Sequence, residues 1–338
     1  MKPMRMLRFV ASGAARVIDS RALYAQLVVT RDCNLSCAYC NEYAAGAPHA
    51  PVQDLLARID RLDELGVMIF DLLGGEPLMH PGLFDLVAHI KRKRDGVNLA
   101  NVISNGFLLT EEKITGLNDA GLDLMQLSVD SVRPGPDSMK SLKSLMPRLD
   151  LLAGKARFTV KIQTVLTGAT AREYGEFRDM LVGYPFDFSF SLLHEGGGKI
   201  AIGGEDFAQI LDQHDLWGGM RLYRDHAEAL LRGDHSRPWR CLGGSKFLYV
   251  TADGVIQWCS QQPGHEVSLM TASLNDLKRA HAHKPCEEGC ALGCARLVSH
   301  ALGEPVKTAA QSLATLAGIG RRQTAGERPA SIAPESAK

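Results

Sequence analysis

The sequence predicts an α/β fold in which a partial barrel of six strand–helix units precedes a small, cysteine-rich α+β extension. Between residues 24 and 192, short apolar runs alternate with segments of helical periodicity, which is typical of parallel strands joined by helices. This stretch of about 170 residues is too short for the eight units of a complete (β/α)8 barrel. Five further cysteines lie between residues 241 and 300. We therefore expect an incomplete, TIM-barrel-like fold with a separate extension.

Length and composition narrow the class of protein. A chain of 338 residues indicates one large domain, or a large domain with a small one. The 38 basic and 38 acidic residues balance, so the chain has no net positive charge that would attract nucleic acid, and no nucleic-acid partner is expected. No run of about 18 apolar residues is present, so no membrane span is predicted. The predicted localisation is cytoplasmic. The cysteines form tight clusters, and in a cytoplasmic protein such clusters indicate metal binding.

Each barrel unit is assigned from its apolar pattern. Strands are predicted at Leu23–Val29, Val67–Leu73, Leu99–Ile103, Leu124–Val129, Arg157–Val165 and Phe186–Leu192. Helices are predicted between them at Leu55–Leu65, Leu83–Ile90, after Thr110, at Ser138–Leu152 and at Arg172–Leu181. Thr110 precedes two glutamates, which is typical of a helix start. In the extension, two apolar runs flank Asp253-Gly254 and predict a hairpin with a tight turn.

The chain divides into five predicted segments. They are a basic helix at 1–22, the barrel at 23–203, a helical connector at 204–240, the extension at 241–300 and a mostly disordered tail at 301–338. The first segment carries four basic residues before its first acid, Asp19. A helix that covers the bottom of the barrel is favoured over an anchor on a membrane surface.

The first strand leads into a loop, residues 30–41, that carries Cys33, Cys37 and Cys40 with the spacing Cys-x3-Cys-x2-Cys. Thiolates this close together are soft ligands for zinc or for an iron–sulfur cluster. A 4Fe–4S cluster normally takes four cysteines, and the next one along the chain is Cys241. The loop is therefore one ligand short, which leaves one iron open to a ligand other than protein. A zinc knuckle or a disulfide-bonded loop is the competing interpretation.

The cysteine loop, with the aromatic Tyr39 before its last cysteine, resembles the signature of the radical S-adenosylmethionine (SAM) enzymes. In that family the fourth iron chelates the amine and carboxylate of SAM. Electron transfer then splits a carbon–sulfur bond and gives a 5′-deoxyadenosyl radical. The resemblance implies SAM and a SAM-binding 4Fe–4S cluster as cofactors, with an electron donor such as flavodoxin or ferredoxin.

A second motif, Gly74-Gly75-Glu76-Pro77, follows the second predicted strand. The glycines allow the backbone to approach a ligand closely, and a carboxylate accepts hydrogen bonds from an ammonium group. An ordinary strand-to-helix turn would also explain these residues. In radical SAM enzymes a Gly-Gly-Glu-Pro at this place holds the methionine amine of SAM, so the resemblance implies that role here.

Polar residues also end the next strands. Ser104 and Asn105 end the third, Ser128 and Asp130 end the fourth, and Gln163 lies on the fifth. Such groups suit the ribose hydroxyls and the carboxylate of SAM, and the family often uses strand ends in this way. The alternative role for each is a helix cap or a turn residue.

His194 and Glu195 close the sixth strand and precede three glycines. This pattern predicts a mobile loop at the barrel mouth whose side chains position a substrate or relay a proton as catalytic residues. The alternative is a solvated loop with a hydrogen-bonded histidine.

The extension begins with Cys241-x12-Gly254-x4-Cys259, which resembles the opening of the SPASM or twitch extension of radical SAM enzymes. Three further cysteines follow at Cys286, Cys290 and Cys294. Such extensions hold auxiliary 4Fe–4S clusters, but a full SPASM extension has seven cysteines. We therefore expect one auxiliary cluster, held by the first two cysteines and two of the later three. A zinc site built from the same thiolates is the alternative.

These features predict a radical SAM oxidoreductase or transferase that acts on an organic substrate. About 22 residues precede the first strand, too few for a leader-binding module, so a small molecule, a lipid or a separately delivered peptide is expected. A ribosomal-peptide maturase is the alternative among enzymes. A non-catalytic zinc or electron-transfer protein is the alternative from another class, but such a protein has no need of an amine-binding carboxylate.

Overall fold

The computed structural model describes residues 3–135, 138–194, 196–204, 207, 221–235, 239–303 and 305. Its parallel strands are β1 (Tyr24–Thr30), β2 (Ile69–Gly74), β3 (Leu99–Ser104), β4 (Leu124–Ser128), β5 (Thr159–Leu166) and β6 (Asp187–Leu192). Each pairs in parallel with the next along the chain. The predicted six-stranded partial barrel is confirmed, and each predicted strand agrees with the observed one to within two residues.

Helices precede the sheet and connect its strands. They are α1 (Pro3–Ala15), α2 (Val52–Glu64), α3 (Leu83–Arg92), α4 (Glu111–Ala120), α5 (Leu142–Lys155) and α6 (Gly168–Leu181). In α2, Leu55, Ile59 and Leu62 recur at helical spacing and are fully buried against the sheet. Burial of each such side chain contributes about 1.5–3 kcal/mol. Thr110 caps α4 as predicted, because its hydroxyl accepts the backbone N–H of Lys113.

The helix predicted at Ser138–Leu152 begins later, at Leu142. Ser141 caps it by accepting a backbone N–H of the first turn. Ser138 lies outside the helix because its hydroxyl donates to the carboxylate of Asp130, at 2.7 Å. The polar residues that follow β4 therefore decide where this helix starts.

The extension continues the barrel sheet, contrary to the expectation of a separate module. The predicted hairpin is confirmed: β7 (Phe247–Val250) and β8 (Val255–Gln257) pair antiparallel around Gly254. However, β7 also pairs in parallel with β1, with Tyr24 opposite Phe247. The described sheet has the order β6-β5-β4-β3-β2-β1-β7-β8-β9, where β9 is Val267–Ser268. All four residues of β7 are buried, and a strand apolar on both faces needs neighbours that cover both.

The later helices are α7 (Arg221–Leu231), α8 (Leu274–Arg279) and α9 (Gly293–Gly303). α7 lies in the predicted connector, and α9 packs against both α7 and β7. α9 continues past residue 300, where the extension was expected to end. Residues 205–206, 208–220 and 236–238 of the connector, and residues 304 and 306–338 of the predicted tail, lie outside the described residues. The five segment boundaries remain predictions.

The N-terminal helix lies at the end of the barrel where the strands begin. Arg16, just after α1, is buried and donates to the carbonyl oxygen of Gly66 and to the carboxylate of Asp19. The helix itself leaves apolar side chains in solvent, with Leu7 70% and Met4 76% exposed. Its end therefore contacts the bottom of the barrel, as favoured from the sequence. None of the described helices is long and apolar enough to cross a membrane.

The end of β2 lies directly against the chain that leaves β1. The backbone N–H of Gly75 donates to the carbonyl oxygen of Thr30, and that of Glu76 to Asp32, each at 2.8 Å. A Cβ on Gly74 would lie 1.9 Å from the Thr30 oxygen, and one on Gly75 would lie 2.2 Å from the Asp32 oxygen. Only glycine permits this approach, which joins the Gly-Gly-Glu-Pro motif to the cysteine loop.

We expect Gly75→Ala to lower the free energy of unfolding by about 1–3 kcal/mol, because the added Cβ meets a backbone oxygen that has no room to move away. Gly175→Ala is the matched control. It lies inside α6 with no atom within 4 Å of an added Cβ, so it should stabilise the protein by about 0.5–1 kcal/mol. Denaturant unfolding measures both. Equal stability of Gly75→Ala and the wild type would contradict the close approach.

Candidate active site

The cysteine loop carries three free thiols at the carboxyl end of β1. Cys33 and Cys37 are half-buried and Cys40 is exposed. None of the eight cysteines forms a disulfide in the structure, so no disulfide closes the loop there. A turn brings Cys37 and Cys40 together, since the backbone N–H of Cys40 donates to the carbonyl oxygen of Cys37 at 3.1 Å. Burial raises the pKa of Cys33, and the backbone N–H of Leu35, which its sulfur accepts at 3.4 Å, acts in the opposite direction.

Glu76 is completely buried and bridges two strand ends. Its Oε1 accepts the backbone N–H of Leu78 at 2.9 Å and the hydroxyl of Ser104 at 2.8 Å. Its Oε2 accepts the backbone N–H of Asn105 at 2.7 Å. Burial raises the pKa of this carboxyl group, and the three hydrogen bonds act in the opposite direction. The hydrogen bonds of Glu76 and Ser104 therefore stabilise the Gly-Gly-Glu-Pro motif from its buried side. Pro77 is buried in the turn that follows.

Asn105 connects the end of β3 to the cysteine loop. Its side-chain amide donates to Oδ1 of Asn34 at 2.8 Å and lies 3.7 Å from the sulfur of Cys33. Its own Oδ1 accepts the backbone N–H of Phe107 at 3.0 Å. The predicted site residue thus contacts the predicted ligand loop directly.

Asp130, just after β4, holds the other side of the loop. Its Oδ2 accepts the hydroxyls of Tyr39 and Ser138 and pairs with the ammonium of Lys140, which is 3.1 Å away. The same ammonium lies 4.9 Å from the centre of the Tyr39 ring. Burial and the Asp130 carboxylate raise the pKa of Tyr39, while Lys140 opposes them, so the phenol remains a donor. In contrast, Oδ1 of Asp130 is buried and has no hydrogen-bond partner among the described residues.

Two other predicted residues lie apart from the loop. Ser128 is opposite Gln163 in the sheet. The Oε1 atom of Gln163 accepts the hydroxyl of Ser189 on β6, at 2.5 Å. Among the described residues, neither forms a hydrogen bond with the cysteine loop. Their roles in binding SAM remain predictions.

His194 follows β6, at the start of the glycine loop, and Glu195 lies outside the described residues. Burial lowers the pKa of His194, so its imidazole is neutral at pH 7. Its Nδ1 atom is buried without a hydrogen-bond partner among the described residues. The glycine loop then turns towards the extension, where the carbonyl oxygen of Gly198 accepts the N–H of Ala291 at 3.2 Å. Sequence reasoning missed this contact.

The five later cysteines gather beside the barrel. Cys241, Cys259 and Cys290 are buried in one apolar cluster, Cys294 packs against it, and Cys286 is half-buried. Burial raises the pKa of Cys259 to about 11 and that of Cys290 to about 12. Among the described residues, no three His, Cys, Asp or Glu side chains converge closely enough to hold a single metal ion. A cluster of several irons is larger than one ion, so its ligands need not meet at a point.

Contacts that the sequence did not predict connect the two groups of cysteines. The hydroxyl of Tyr249 on β7 donates to the carboxylate of Glu42, just after Cys40. The side-chain amide of Asn41 donates to the carbonyl oxygen of Ser260 at 2.6 Å, next to Cys259. Two features of the sequence could have indicated these contacts: Tyr249 is a polar aromatic residue in an apolar strand, and Asn41 and Glu42 are polar residues directly after Cys40.

Comparison with known proteins identifies relatives of the barrel. The sequence model of the radical SAM superfamily matches residues 27–178. PqqA peptide cyclase of Methylocella silvestris is 31% identical over 179 residues, which are 51% of this chain and 46% of that protein. GTP 3′,8-cyclase of Limosilactobacillus fermentum is 33% identical over 117 residues, 33% of this chain and 34% of that protein. The chain thus matches less than half the length of these relatives.

Solved structures show the same fold. Streptococcus suis SuiB bound to its precursor peptide SuiA has a TM-score of 0.58 and 14% identity, and the match covers 83% of this chain and 69% of that one. The protein anSMEcpe with bound AdoMet has a TM-score of 0.56 and 16% identity, covering 86% and 99%. The matched family segment contains both the cysteine loop and the Gly-Gly-Glu-Pro motif. Over residues 27–178, the chain therefore carries a radical SAM domain.

Proposed function

We propose that the protein reductively cleaves SAM at a 4Fe–4S cluster held by Cys33, Cys37 and Cys40 and uses the resulting 5′-deoxyadenosyl radical to modify an organic substrate. The observation that carries this proposal is the junction of the two motifs. Backbone hydrogen bonds at 2.8 Å fix the Gly-Gly-Glu-Pro segment against a loop with three free thiols. Three thiolates leave one iron of the cluster for SAM.

The residues of the loop fit such a cluster. The thiols of the loop are free, and Cys33 has two N–H donors within reach of its sulfur. Hydrogen bonds of this kind stabilise a ligating thiolate. When bound, the reduced cluster supplies the electron that breaks the carbon–sulfur bond of SAM. The loop itself positions the ligands and is held on both flanks, by Asn105 and by the Tyr39–Asp130 pair.

The surrounding residues fit SAM in two ways. Glu76 is occupied by three internal donors, so it fixes the shape of the motif and leaves the main-chain carbonyls of the glycines to accept the amine. Oδ1 of Asp130 is a buried acceptor with no partner among the described residues, and a ribose hydroxyl would satisfy it. Ser128 and Gln163, which lie within their strands, remain candidate contacts of SAM.

The extension fits one auxiliary 4Fe–4S cluster. It presents five free thiols, most of them buried, and burial in an apolar cluster keeps unligated thiols neutral. Iron would favour the thiolate form and compensate its charge. Zinc remains the alternative, and metal content decides between them.

The substrate is proposed to be a polar small molecule or a separately delivered peptide. Both classes occur among the relatives, because one is a GTP cyclase and another a peptide cyclase. Similarity to PqqA peptide cyclase over half of this chain favours peptide modification as the second candidate. His194, with its neutral imidazole, is proposed to face the substrate from the barrel mouth. We place the protein in the cytoplasm, where a flavodoxin or ferredoxin would donate the electron that reduces the cluster.

We expect anaerobically reconstituted, reduced protein to convert SAM to 5′-deoxyadenosine and methionine. Cys37→Ala should reduce this cleavage to background, because the cluster would lose one of its three thiolates. Liquid chromatography of both products measures the reaction. Cys286→Ala, which removes a thiol of the extension, is the matched control and should retain residual cleavage. Undiminished cleavage by Cys37→Ala would refute the ligand assignment.

We expect wild-type protein to carry about eight irons and Cys259→Ala about four, because the auxiliary cluster would lose a ligand. Iron and sulfide analysis of anaerobically purified protein measures the difference. The variant should also keep some SAM cleavage uncoupled from substrate turnover. An unchanged iron content, or zinc in place of iron, would contradict the auxiliary cluster.

A further inference from the structure

The N-terminal helix α1 turns its most apolar face away from the protein. Phe9, Ser12 and Gly13 are half-buried, and Arg16, just after the helix, is buried. Residues spaced in this way share one side of a helix, so this side lies against the barrel. The other side, called the outward face below, is exposed and carries Met4, Leu7, Val10, Ala11 and Ala14. A surface helix normally packs its apolar side on the core, so the orientation of α1 is inverted.

The exposed apolar side chains form a patch that continues past the helix. Met4 is 76% exposed, Leu7 70% and Val10 55%, and Ile18 in the following turn is 90% exposed. Five of the ten large apolar side chains that are exposed among the described residues lie between residues 4 and 18. Single exposed apolar residues are normal, but such a concentration indicates a surface that binds something.

The charge of the same segment indicates what that surface binds. The first 18 residues of the sequence contain four basic residues and no acid, although the chain as a whole is balanced. Basic residues beside an apolar helix face are typical of helices that lie on anionic membranes. Arg8 is 52% exposed, and its partner Asp95, 2.9 Å away, is 79% exposed. Such a surface pair is weak, so a lipid phosphate can replace the carboxylate.

We propose that the outward face of α1, together with Ile18, docks on the surface of a membrane that contains anionic phospholipids. The apolar side chains enter the boundary between headgroups and acyl chains, and the basic residues pair with phosphates. A bilayer accommodates side chains that protrude from a helix, whereas a protein partner needs a groove that matches them.

This docking fixes the direction in which the barrel points. Arg16 donates to the carbonyl oxygen of Gly66, ahead of β2, and Arg8 reaches Asp95, ahead of β3. The helix therefore covers the end of the barrel where the strands begin, opposite the cysteine loop. With this end on the membrane, the mouth of the barrel faces water. The membrane thus locates the protein and does not supply its substrate, so the inference is independent of the proposed function.

Vesicle flotation of the holoenzyme tests the apolar contact. The wild type should bind vesicles made of equal parts of phosphatidylcholine and phosphatidylglycerol. Leu7→Gln combined with Val10→Gln should weaken this binding about tenfold or more, because two side chains no longer enter the bilayer. Val182→Gln combined with Met270→Gln is the matched control, since these residues are 56% and 52% exposed elsewhere. Absence of wild-type binding, or equal binding by the Leu7/Val10 variant, would overturn the proposal.

The same assay tests the role of charge. Binding should be weaker to vesicles of phosphatidylcholine alone, and added salt should weaken binding to the anionic vesicles. Arg8→Gln should lower binding about fivefold, since one basic residue near the surface is lost. Arg157→Gln, which removes another exposed arginine paired with an aspartate, is the matched control and should bind as the wild type does. Binding that is insensitive to both salt and Arg8→Gln would contradict an anionic membrane.

Analytical ultracentrifugation without vesicles tests the alternative that a second copy of the chain covers the outward face. Membrane docking predicts the same oligomeric state for the wild type and for the Leu7/Val10 variant. A wild-type oligomer that dissociates in this variant would show that the face binds another copy, and would overturn the proposal. Circular dichroism and SAM cleavage should be unchanged in the variant, because both side chains lie on the surface far from the cysteine loop.

Discussion

The hydrogen bonding of Glu76 determines the geometry of the whole candidate site. This buried carboxylate accepts three hydrogen bonds that connect the end of β2 to the turn after β3. Asn105, in that turn, contacts the cysteine loop, and the N–H of Glu76 itself donates to Asp32 at the loop's start. Hydrogen bonds to a charged group contribute about 1.5–3 kcal/mol each, and a buried charge without partners is strongly destabilising. Two glycines make the arrangement feasible, because any side chain would separate the strands.

The strand β1 lies between the two groups of cysteines. Its carboxyl end continues into the loop with Cys33, and its edge pairs with β7. Oε1 of Gln26, in the middle of the strand, lies 3.9 Å from the sulfur of Cys294. The Tyr249–Glu42 contact then joins β7 to the loop from the side. The proposed cluster of the loop and the proposed auxiliary cluster thus flank one strand.

Much of this organisation could be predicted from the sequence, because it depends on local pattern. Apolar runs located the strands, Thr110 marked a helix start, and the spacing of Cys33, Cys37 and Cys40 indicated the ligand loop. Long-range pairing could not be predicted in the same way. The apolar run of β7 reveals that it is buried but not that its neighbour is β1. The internal role of Glu76 depends on donors about 28 residues later, and the contact of Cys294 with Gln26 depends on how α9 packs.

The central claim is that the loop cluster has one iron free for SAM. The most direct test is electron paramagnetic resonance of the reduced Cys259→Ala variant, in which the auxiliary signal is removed, before and after SAM is added anaerobically. The account predicts that the g values and line shape of the remaining 4Fe–4S signal change when SAM is added, because SAM binds the fourth iron. A signal that stays the same at saturating SAM would contradict the account.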